Sequence, residues 1–361
     1  MWEREIPQLF INYRGNIFRL MKGEMENIIK RKIFSYERNE RMNNILIGNG
    51  FDIEIGGVKE CSNAAIIERV HKNIEKKDYK YHIKDITASE LKDVIEGIEG
   101  VILKDILSGK YNSHCETEEE RSNLKRFVDN YDPSQSIGME DYFLILRLFH
   151  KKYGDSEEMI HATAVGLEKL FLDAIFNEGE LQKLYMNLSD ERKLELQNSL
   201  NKFDNIYTIN YDWNIEKITN TKVKHLHGQF DQLNQQFRKD TALSKYAKMT
   251  GIDYTAREED LYLFCNAIMG FSGGLKERQI KIFSGLENND EYYYNEFKNL
   301  KGTMSLAGMS PNNDGHIMRL IFENKNIDSV IFYYHSEKDK KAAEDSYGMK
   351  GIICRPVSEI W

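Results

Sequence analysis

The feature that most constrains the fold is a short apolar run that ends in polar residues. Residues 205–209 read Asn-Ile-Tyr-Thr-Ile, and Asn210 and Asp212 follow almost at once. β-Branched and aromatic residues in a run of this length predict a buried strand. Ligands of open parallel sheets bind at the carboxyl ends of the strands. The pattern therefore predicts that Asn210 and Asp212 lie at the ligand-binding edge of such a sheet.

A second apolar run brings an imidazole to the same edge. Residues 223–226 read Val-Lys-His-Leu, form the next predicted strand, and are followed by His227 and a glycine. The side chains of Asn210, Asp212 and His227 are thus predicted to converge. His225 shares its strand face with His227, and the following glycine favours His227 as the functional residue. A purely structural interpretation stays open. Asn210 and Asp212 would then form a turn or a helix cap, and His227 would be a hydrogen-bonded residue at the end of a strand.

An earlier stretch predicts a strand that enters a tight glycine turn. Residues 43–52 read Asn-Asn-Ile-Leu-Ile-Gly-Asn-Gly-Phe-Asp, with Gly48 and Gly50 at the turn. Glycines let the backbone approach a ligand closely, and amides at such a turn can meet a pyrophosphate. Tight turns between a strand and a helix also use glycine for their own geometry, so this alternative remains. Ile53 replaces the third glycine of G-x-G-x-x-G, which argues against a hydride-transferring dehydrogenase.

The C-terminal part of the chain predicts half of a doubly wound sheet. Residues 304–316 read as a strand, a turn containing Gly308 and Ser310, and a helix start. Further strands are predicted at 330–334 and 351–354, with helical segments between them. This βαβαβ pattern is typical of Rossmann-like sheets. We therefore predict an α/β fold built on a Rossmann-like, doubly wound parallel sheet.

Two regions are predicted along the chain. Residues 42–361 would form the sheet domain, interrupted by a large helical insertion at about 61–200. Residues 1–41 show a helical pattern and are predicted to form an extension that packs on the body or on a neighbouring subunit. The run Lys30-Arg31-Lys32 in this extension leaves open a local basic contact with nucleic acid.

Composition excludes several classes of function. A net charge of −8 over 361 residues gives no support for a broad nucleic-acid footprint. The four cysteines are far apart and form no C-x-x-C pair, which indicates neither a disulfide framework nor a cysteine zinc site. No apolar run approaches the roughly 18 residues of a membrane span, and no secretory segment opens the chain. We expect a cytoplasmic protein without membrane contact.

These motifs together resemble the sirtuin family. The run Thr208-Ile-Asn-Tyr-Asp212 is similar to its T-x-N-x-D, His227-Gly-Gln-Phe230 to its H-G-S-F, and Gly308-Met-Ser310 to its G-T-S nucleotide contact. The stretch Gly48-Asn-Gly-Phe-Asp52 departs from the G-A-G-x-S of deacylating sirtuins and instead resembles the N-G-F-D of AbiH-like and other bacterial defence sirtuins. The four zinc-binding cysteines of the deacylases are absent from the sequence.

What the resemblance implies is hydrolysis of NAD at the bond between nicotinamide and ribose, in abortive-infection defence against phage. NAD would be the substrate, and no metal would take part. Asn210 would orient ribose or water, and His227, with an ordinary pKa near 6.5, would be the general base. The remaining contacts with the nucleotide would come from a larger set of residues: Gly48, Gly50, Phe51, Asp52, Thr208, Asp212, Gly308 and Ser310.

The same resemblance implies partners, and two other hypotheses for the function stay open beside it. We expect the chain to form a homo-oligomer and to act with a separately encoded ATPase of the HerA type. A second hypothesis is a catalytically inactive subunit that senses NAD or ADP-ribose within a defence assembly. A third is a subunit that contacts nucleic acid, either through a partner or through the local basic run Lys30-Arg31-Lys32.

Overall fold

The computed structural model describes residues 42–76, 86–134, 136–232, 258–269, 273–285, 291–310 and 314–361. The predicted extension over residues 1–41, with its basic run, lies outside the described residues.

The centre of the fold is a six-stranded parallel sheet. Its strands are β1 (Asn43–Ile47), β2 (Asn205–Thr208), β3 (Val223–His225), β4 (Gly302–Ala307), β5 (Ile327–Tyr334) and β6 (Ile352–Pro356). They lie in the order β3-β2-β1-β4-β5-β6, and all neighbours are parallel. This is the strand order of the doubly wound dinucleotide-binding folds. The prediction of a Rossmann-like α/β fold is therefore confirmed.

Fourteen described α-helices accompany the sheet. They are α1 (Gly50–Gly56), α2 (Val58–Cys61), α3 (Asn63–Lys76), α4 (Ala88–Gly97), α5 (Leu103–Leu107), α6 (Glu118–Asn130), α7 (Met139–Tyr153), α8 (Glu157–Phe176), α9 (Asp190–Leu200), α10 (Asn214–Thr219), α11 (Gly273–Gly285), α12 (Tyr294–Lys298), α13 (Gly315–Glu323) and α14 (Glu337–Tyr347). A π-helical turn, Ile98–Ile102, connects α4 to α5. Each described helix is too short or too polar to cross a lipid bilayer.

Both faces of the sheet are covered by helices. Strand β1 shows this arrangement, because all three of its apolar side chains are fully buried. Ile45 and Ile47 pack on one face with residues of α9 and α10, whereas Leu46 packs on the other face with residues of α12 and α13. Burial of each such side chain stabilises the fold by about 1.5–3 kcal/mol. The continuous apolar runs in the sequence follow from this two-sided burial.

Helices α3 to α8 form a third apolar core beside the sheet. This core consists of buried residues from these helices, for example Val70 of α3, Ile145 of α7 and Phe171 of α8. Helices α4 and α6 begin with capping boxes, in which the Thr87 and Thr117 hydroxyls accept from the backbone amide three residues on. These helices lie between β1 and β2 in the sequence and supply one wall of the site described below.

Candidate functional site

A cleft of about 720 Å³ opens at the carboxyl edge of the sheet. One wall comes from the ends of β1, β2 and β4, and the opposite wall comes from α6, α7 and the residues between them. The sheet side of the cleft is lined by Asn49, Asp52, Asn210, Asp212, His227, Ser310 and Asp314. Strand order reverses between β1 and β4, and ligands of doubly wound sheets bind beside this reversal. The cleft thus occupies the position at which this fold binds nucleotides.

Hydrogen bonds at the end of β2 fix the position of Asn210. The Thr208 hydroxyl donates to the carbonyl of Ile47 at 2.9 Å and accepts from the Asn210 backbone amide at 3.0 Å. The side-chain amide of Asn210 donates to Oδ2 of Asp52 at 2.9 Å. Asp212 accepts from the Asn214 backbone amide at 2.8 Å and so closes the turn into α10. Asp212 therefore stabilises a turn, as the structural alternative predicted for it. Asn210 and Asp52 form a polar pair in the cleft.

Burial changes the protonation of the two carboxyl groups in this part of the cleft. It raises the pKa of Asp52 well above its ordinary value, and the neighbouring charge of Asp212 raises it further. Burial also raises the pKa of Asp212, although hydrogen bonds to its carboxylate oppose the shift. Within the described residues, Oδ1 of Asp52 has no hydrogen-bond partner. A protonated Asp52 can therefore donate to the neighbouring Asp212 carboxylate or to a ligand hydroxyl, and Asp212 is the better candidate for the negative charge.

The glycines at the ends of β1 and β4 pack directly on each other. The amide of Gly48 donates to the Ala307 carbonyl at 3.0 Å, and the amide of Gly50 donates to the Gly308 carbonyl at 2.8 Å. A Cβ atom on Gly50 would lie 2.5 Å from Cα of Gly308. Gly308 has a φ of 65°, which favours glycine. This contact between backbones explains the glycines, and both amides already have protein acceptors, which favours the tight-turn alternative over direct pyrophosphate contact.

Phe51 and Ser310 differ in their access to the cleft. Phe51 is fully buried and packs edge-on against the ring of Trp361, at 5.4 Å between ring centroids, so it belongs to the core. Ser310 is exposed and lines the cleft. Of the ten residues predicted from the sequence, five line the cleft: Asp52, Asn210, Asp212, His227 and Ser310. The others, Gly48, Gly50, Phe51, Thr208 and Gly308, shape or support its edge.

The structure separates the two neighbouring histidines. Strand β3 ends at His225, whose Nδ1 lies 2.8 Å from the Asn210 carbonyl oxygen and whose Nε2 lies 2.6 Å from Oε1 of Glu216. Both ring nitrogens of His225 are thus engaged in holding the loop that carries Asn210. His227 lies beyond the strand, in a turn, and lines the cleft. The choice of His227 over His225 as the residue facing a ligand agrees with this placement.

His227 contacts two residues that sequence reasoning did not select. Its Nε2 lies 3.2 Å from Nε2 of His316 and 3.8 Å from Oδ1 of Asp314. Both histidines are 3% exposed. Burial, then the positive charge of Lys276, then His316 lower the pKa of His227 well below its ordinary value. The ordinary histidine pKa near 6.5 does not apply to this buried ring, and His227 is neutral at physiological pH.

His316 and Asp314 share this low-polarity environment. Burial, reinforced by Lys276, lowers the pKa of His316 to about 3. Burial and the charge of Glu140 raise the pKa of Asp314 to about 7, although Lys276 acts in the opposite direction. Oδ1 of Asp314 and Nδ1 of His316 have no hydrogen-bond partner in the part of the chain that the structure describes. The cluster is thus poor in internal hydrogen bonds.

An ion pair between a buried lysine and a half-buried glutamate connects α11 to α7 at the cleft. The ammonium of Lys276 in α11 bonds to the carboxylate of Glu140 in α7. Burial alone would lower the pKa of Lys276, but its attraction to Glu140, Tyr211 and Asp314 raises the pKa overall. Both residues line the cleft. Lys276 is therefore charged, and Glu140 compensates its charge.

One sequence signal could have found Asp314 and His316. The run Asp-Gly-His at 314–316 follows a predicted strand that ends at the same edge as Asn210 and opens a helix. Asp314 occupies the cap position of α13, with a φ of 50°, yet its side chain makes no capping hydrogen bond there. A polar residue at a helix start that does not cap the helix is available to a site.

Comparisons with protein-family models, with curated proteins and with solved structures gave no match to this chain. The fold and the cleft define an α/β protein of the doubly wound class with a polar site at the reversal of strand order.

Proposed function

We propose that the protein is an NAD hydrolase of bacterial antiphage defence, acting in the cytoplasm. The observation that carries the proposal is the convergence of Asn210, Asp52, Asp212 and His227 in one cleft at the β1–β4 reversal of a dinucleotide-type sheet. The motifs that resemble defence sirtuins contribute three of these four positions through T-x-N-x-D and H-G, and the fourth through N-G-F-D.

The proposed reaction breaks the C–N bond between ribose C1′ and nicotinamide. Water supplies the oxygen of the new C1′–O bond, nicotinamide leaves as a neutral molecule, and one proton is released. The transition state has oxocarbenium character, so a nearby negative charge stabilises it. Asp212 is the candidate for this charge, and protonated Asp52 is the candidate donor to a ribose hydroxyl.

Asn210 and His227 would position and deprotonate the water. The Asn210 amide nitrogen is anchored on Asp52, which leaves the amide oxygen for water or ribose. His227 is neutral and can accept a proton, and its lowered pKa makes it a weak base. A weak base suffices for a reaction in which bond breaking runs ahead of attack by water.

A second candidate function has an observation of its own. Nε2 of His227 faces His316 and Asp314, and burial lowers the pKa of the ring well below its ordinary value. Such a histidine is less suited to proton transfer than an exposed one. A catalytically inactive subunit that senses NAD or ADP-ribose is therefore the alternative. A homo-oligomer and a HerA-type ATPase are the partners proposed for either function.

The test is NAD consumption with identification of products. We expect the wild-type protein, alone or mixed with a co-encoded ATPase, to give nicotinamide and ADP-ribose in equal amounts. Asn210→Ala and His227→Ala should each lower the rate by about 100-fold or more. His335→Ala, at an exposed histidine, is the matched control and should retain the wild-type rate. NAD that binds the wild type but survives under both conditions would reject the hydrolase and favour the sensor.

A further inference from the structure

We infer that His227, Asp314 and His316 form a binding site for one divalent transition-metal ion. Each residue offers one ligand atom. The atoms that face one another are Nε2 of the two histidines and a carboxylate oxygen of Asp314. All three atoms lie within 4.8 Å of one another. They come from two segments that follow β3 and β4, so the fold, rather than local sequence, brings them together.

The two separations that involve His227 are close to those between ligand atoms around a small metal ion. Zinc–nitrogen and zinc–oxygen bonds of about 2.0–2.1 Å at tetrahedral angles place neighbouring ligand atoms about 3.3–3.4 Å apart. Nε2 of His227 lies 3.2 Å from Nε2 of His316 and 3.8 Å from Oδ1 of Asp314. Small side-chain rotations would therefore place all three atoms on one ion.

Buried polar atoms without hydrogen-bond partners also indicate that the cluster can bind a cation. The Asp314 side chain is 10% exposed, and no donor among the described residues reaches its Oδ1. A buried acceptor without a partner is unfavourable by about 1–3 kcal/mol, and more for a charged group. The two facing imidazole nitrogens can share only one proton between them. A cation would satisfy both nitrogen lone pairs and the carboxylate oxygen together.

The ligand types select the class of ion. Two imidazole nitrogens and one carboxylate suit zinc, iron, cobalt or nickel, whereas calcium and magnesium prefer sites made of oxygen atoms. Three protein ligands leave at least one coordination position for an outside group, and His227 and Asp314 both line the cleft. The positive charge of Lys276 opposes a second cation, but its ion pair with Glu140 compensates that charge.

Metal binding has a consequence for catalysis that rests on the proposed hydrolase. When Nε2 of His227 is a metal ligand, that nitrogen cannot accept a proton from water. Metal binding and the general-base role are therefore competing uses of one atom. We expect the ion to inhibit NAD hydrolysis, and its removal by a chelator to restore the activity.

The binding test uses Co²⁺ as a spectroscopic probe on the full chain without a histidine tag. We expect about one Co²⁺ per wild-type chain, with visible absorption typical of a site with fewer than six ligands. Zn²⁺ should displace it. Asp314→Asn, which keeps the side-chain size, and His316→Ala should each weaken binding by at least about tenfold.

Controls identify the site that holds the ion. Asp328→Asn and His335→Ala change exposed residues of the same types and should bind Co²⁺ like the wild type. Cys354→Ser removes the one cysteine that is not buried and should also leave binding unchanged. Circular dichroism of each variant verifies folding. Equal Co²⁺ affinity in wild type and folded Asp314→Asn would overturn the site.

An activity measurement separates failure of the metal site from failure of the proposed function. Wild-type NAD hydrolysis should fall as Zn²⁺ is added, with a midpoint that matches the Zn²⁺ affinity from displacement of Co²⁺. Metal binding without any NAD hydrolysis would retain the site and reject the hydrolase. Hydrolysis that Zn²⁺ does not inhibit while the ion is bound would overturn the competition at His227.

Discussion

At the scale of single residues, burial decides the charge of the groups around the cleft. Carboxyl groups are shifted toward the protonated form, as at Asp52, Asp141 and Asp314, and His227 and His316 toward the neutral form. Ligand binding then does not have to displace strongly hydrated charges, and the few remaining charges act in a medium of low polarity. Such shifts are frequent at functional sites, and they also make stability depend on pH.

Asp141, on the helical wall of the cleft, offers a test of such a shift in a residue outside the histidine cluster. Burial raises its pKa to about 6, although Arg126 acts against the shift. The folded protein then binds a proton that the unfolded chain releases near pH 3.8, so the stability contribution of this group is present below that pH and lost as pH rises through about 6. The full change is about 3 kcal/mol, since one pKa unit is about 1.4 kcal/mol.

Asp141→Asn removes this titration. We expect the free energy of unfolding of the variant, relative to the wild type, to increase from about pH 4 to pH 6 and then to level off. Urea unfolding at several pH values measures the difference. A difference that stays constant across this range would show that Asp141 does not titrate in the folded state with a raised pKa.

At the scale of strands, helices and turns, the sequence predicts most of the sheet and less of the site. The apolar runs before Gly48, Asn210 and Gly308 identify β1, β2 and β4, because strands buried on both faces are continuously apolar. The polar residues that follow them also mark the edge at which the cleft opens. These predictions depend on local patterns, which a single sequence contains.

The sequence does not predict the contacts between segments that are distant along the chain. Gly50 meets Gly308 through backbone packing, so a pattern that resembles a phosphate-binding turn has a structural cause. Strand β3 ends at His225, and the alternation of faces therefore does not extend to His227. The approach of His316 to His227 depends on how α13 follows β4 in space, for which neither segment has a local signal.

The contact between the two glycine turns is open to a stability test. Gly50→Ala would place a methyl group 2.5 Å from Cα of Gly308. The two backbones must move apart to make room for this methyl group. We expect it to lower the free energy of unfolding by about 3 kcal/mol. Gly100→Ala is the matched control, because nothing lies within 4 Å of its added Cβ, and it should be neutral or stabilising by up to about 1 kcal/mol. Equal stability of the two variants in urea unfolding would contradict the close contact.

At the scale of the whole molecule, the cleft joins three parts of the fold. Its lining includes the ends of β1, β2 and β4, residues of the helical region such as Arg126 and Asp141, and Lys338 with Asp339 from α14. The ion pair of buried Lys276 with half-buried Glu140 connects α11 to α7 at the same place. A ligand that fills the cleft therefore contacts the sheet and the helical region together, and its binding should stabilise both.

ADP-ribose, the proposed product, allows this coupling to be measured without turnover. At 100 times its Kd it should raise the free energy of unfolding by about 2.7 kcal/mol, seen as a higher Tm, and Asn210→Ala should lose most of the shift. Hydrogen exchange should slow in α6 and α7 as well as at the ends of β1 and β2, because a dinucleotide-sized ligand spans both walls. Slower exchange confined to the strand ends would mean that the ligand binds the sheet edge alone and that the helical wall serves another purpose. A Tm unchanged by both ADP-ribose and NAD would show that neither nucleotide binds in the cleft. That result would reject both the hydrolase and the sensor.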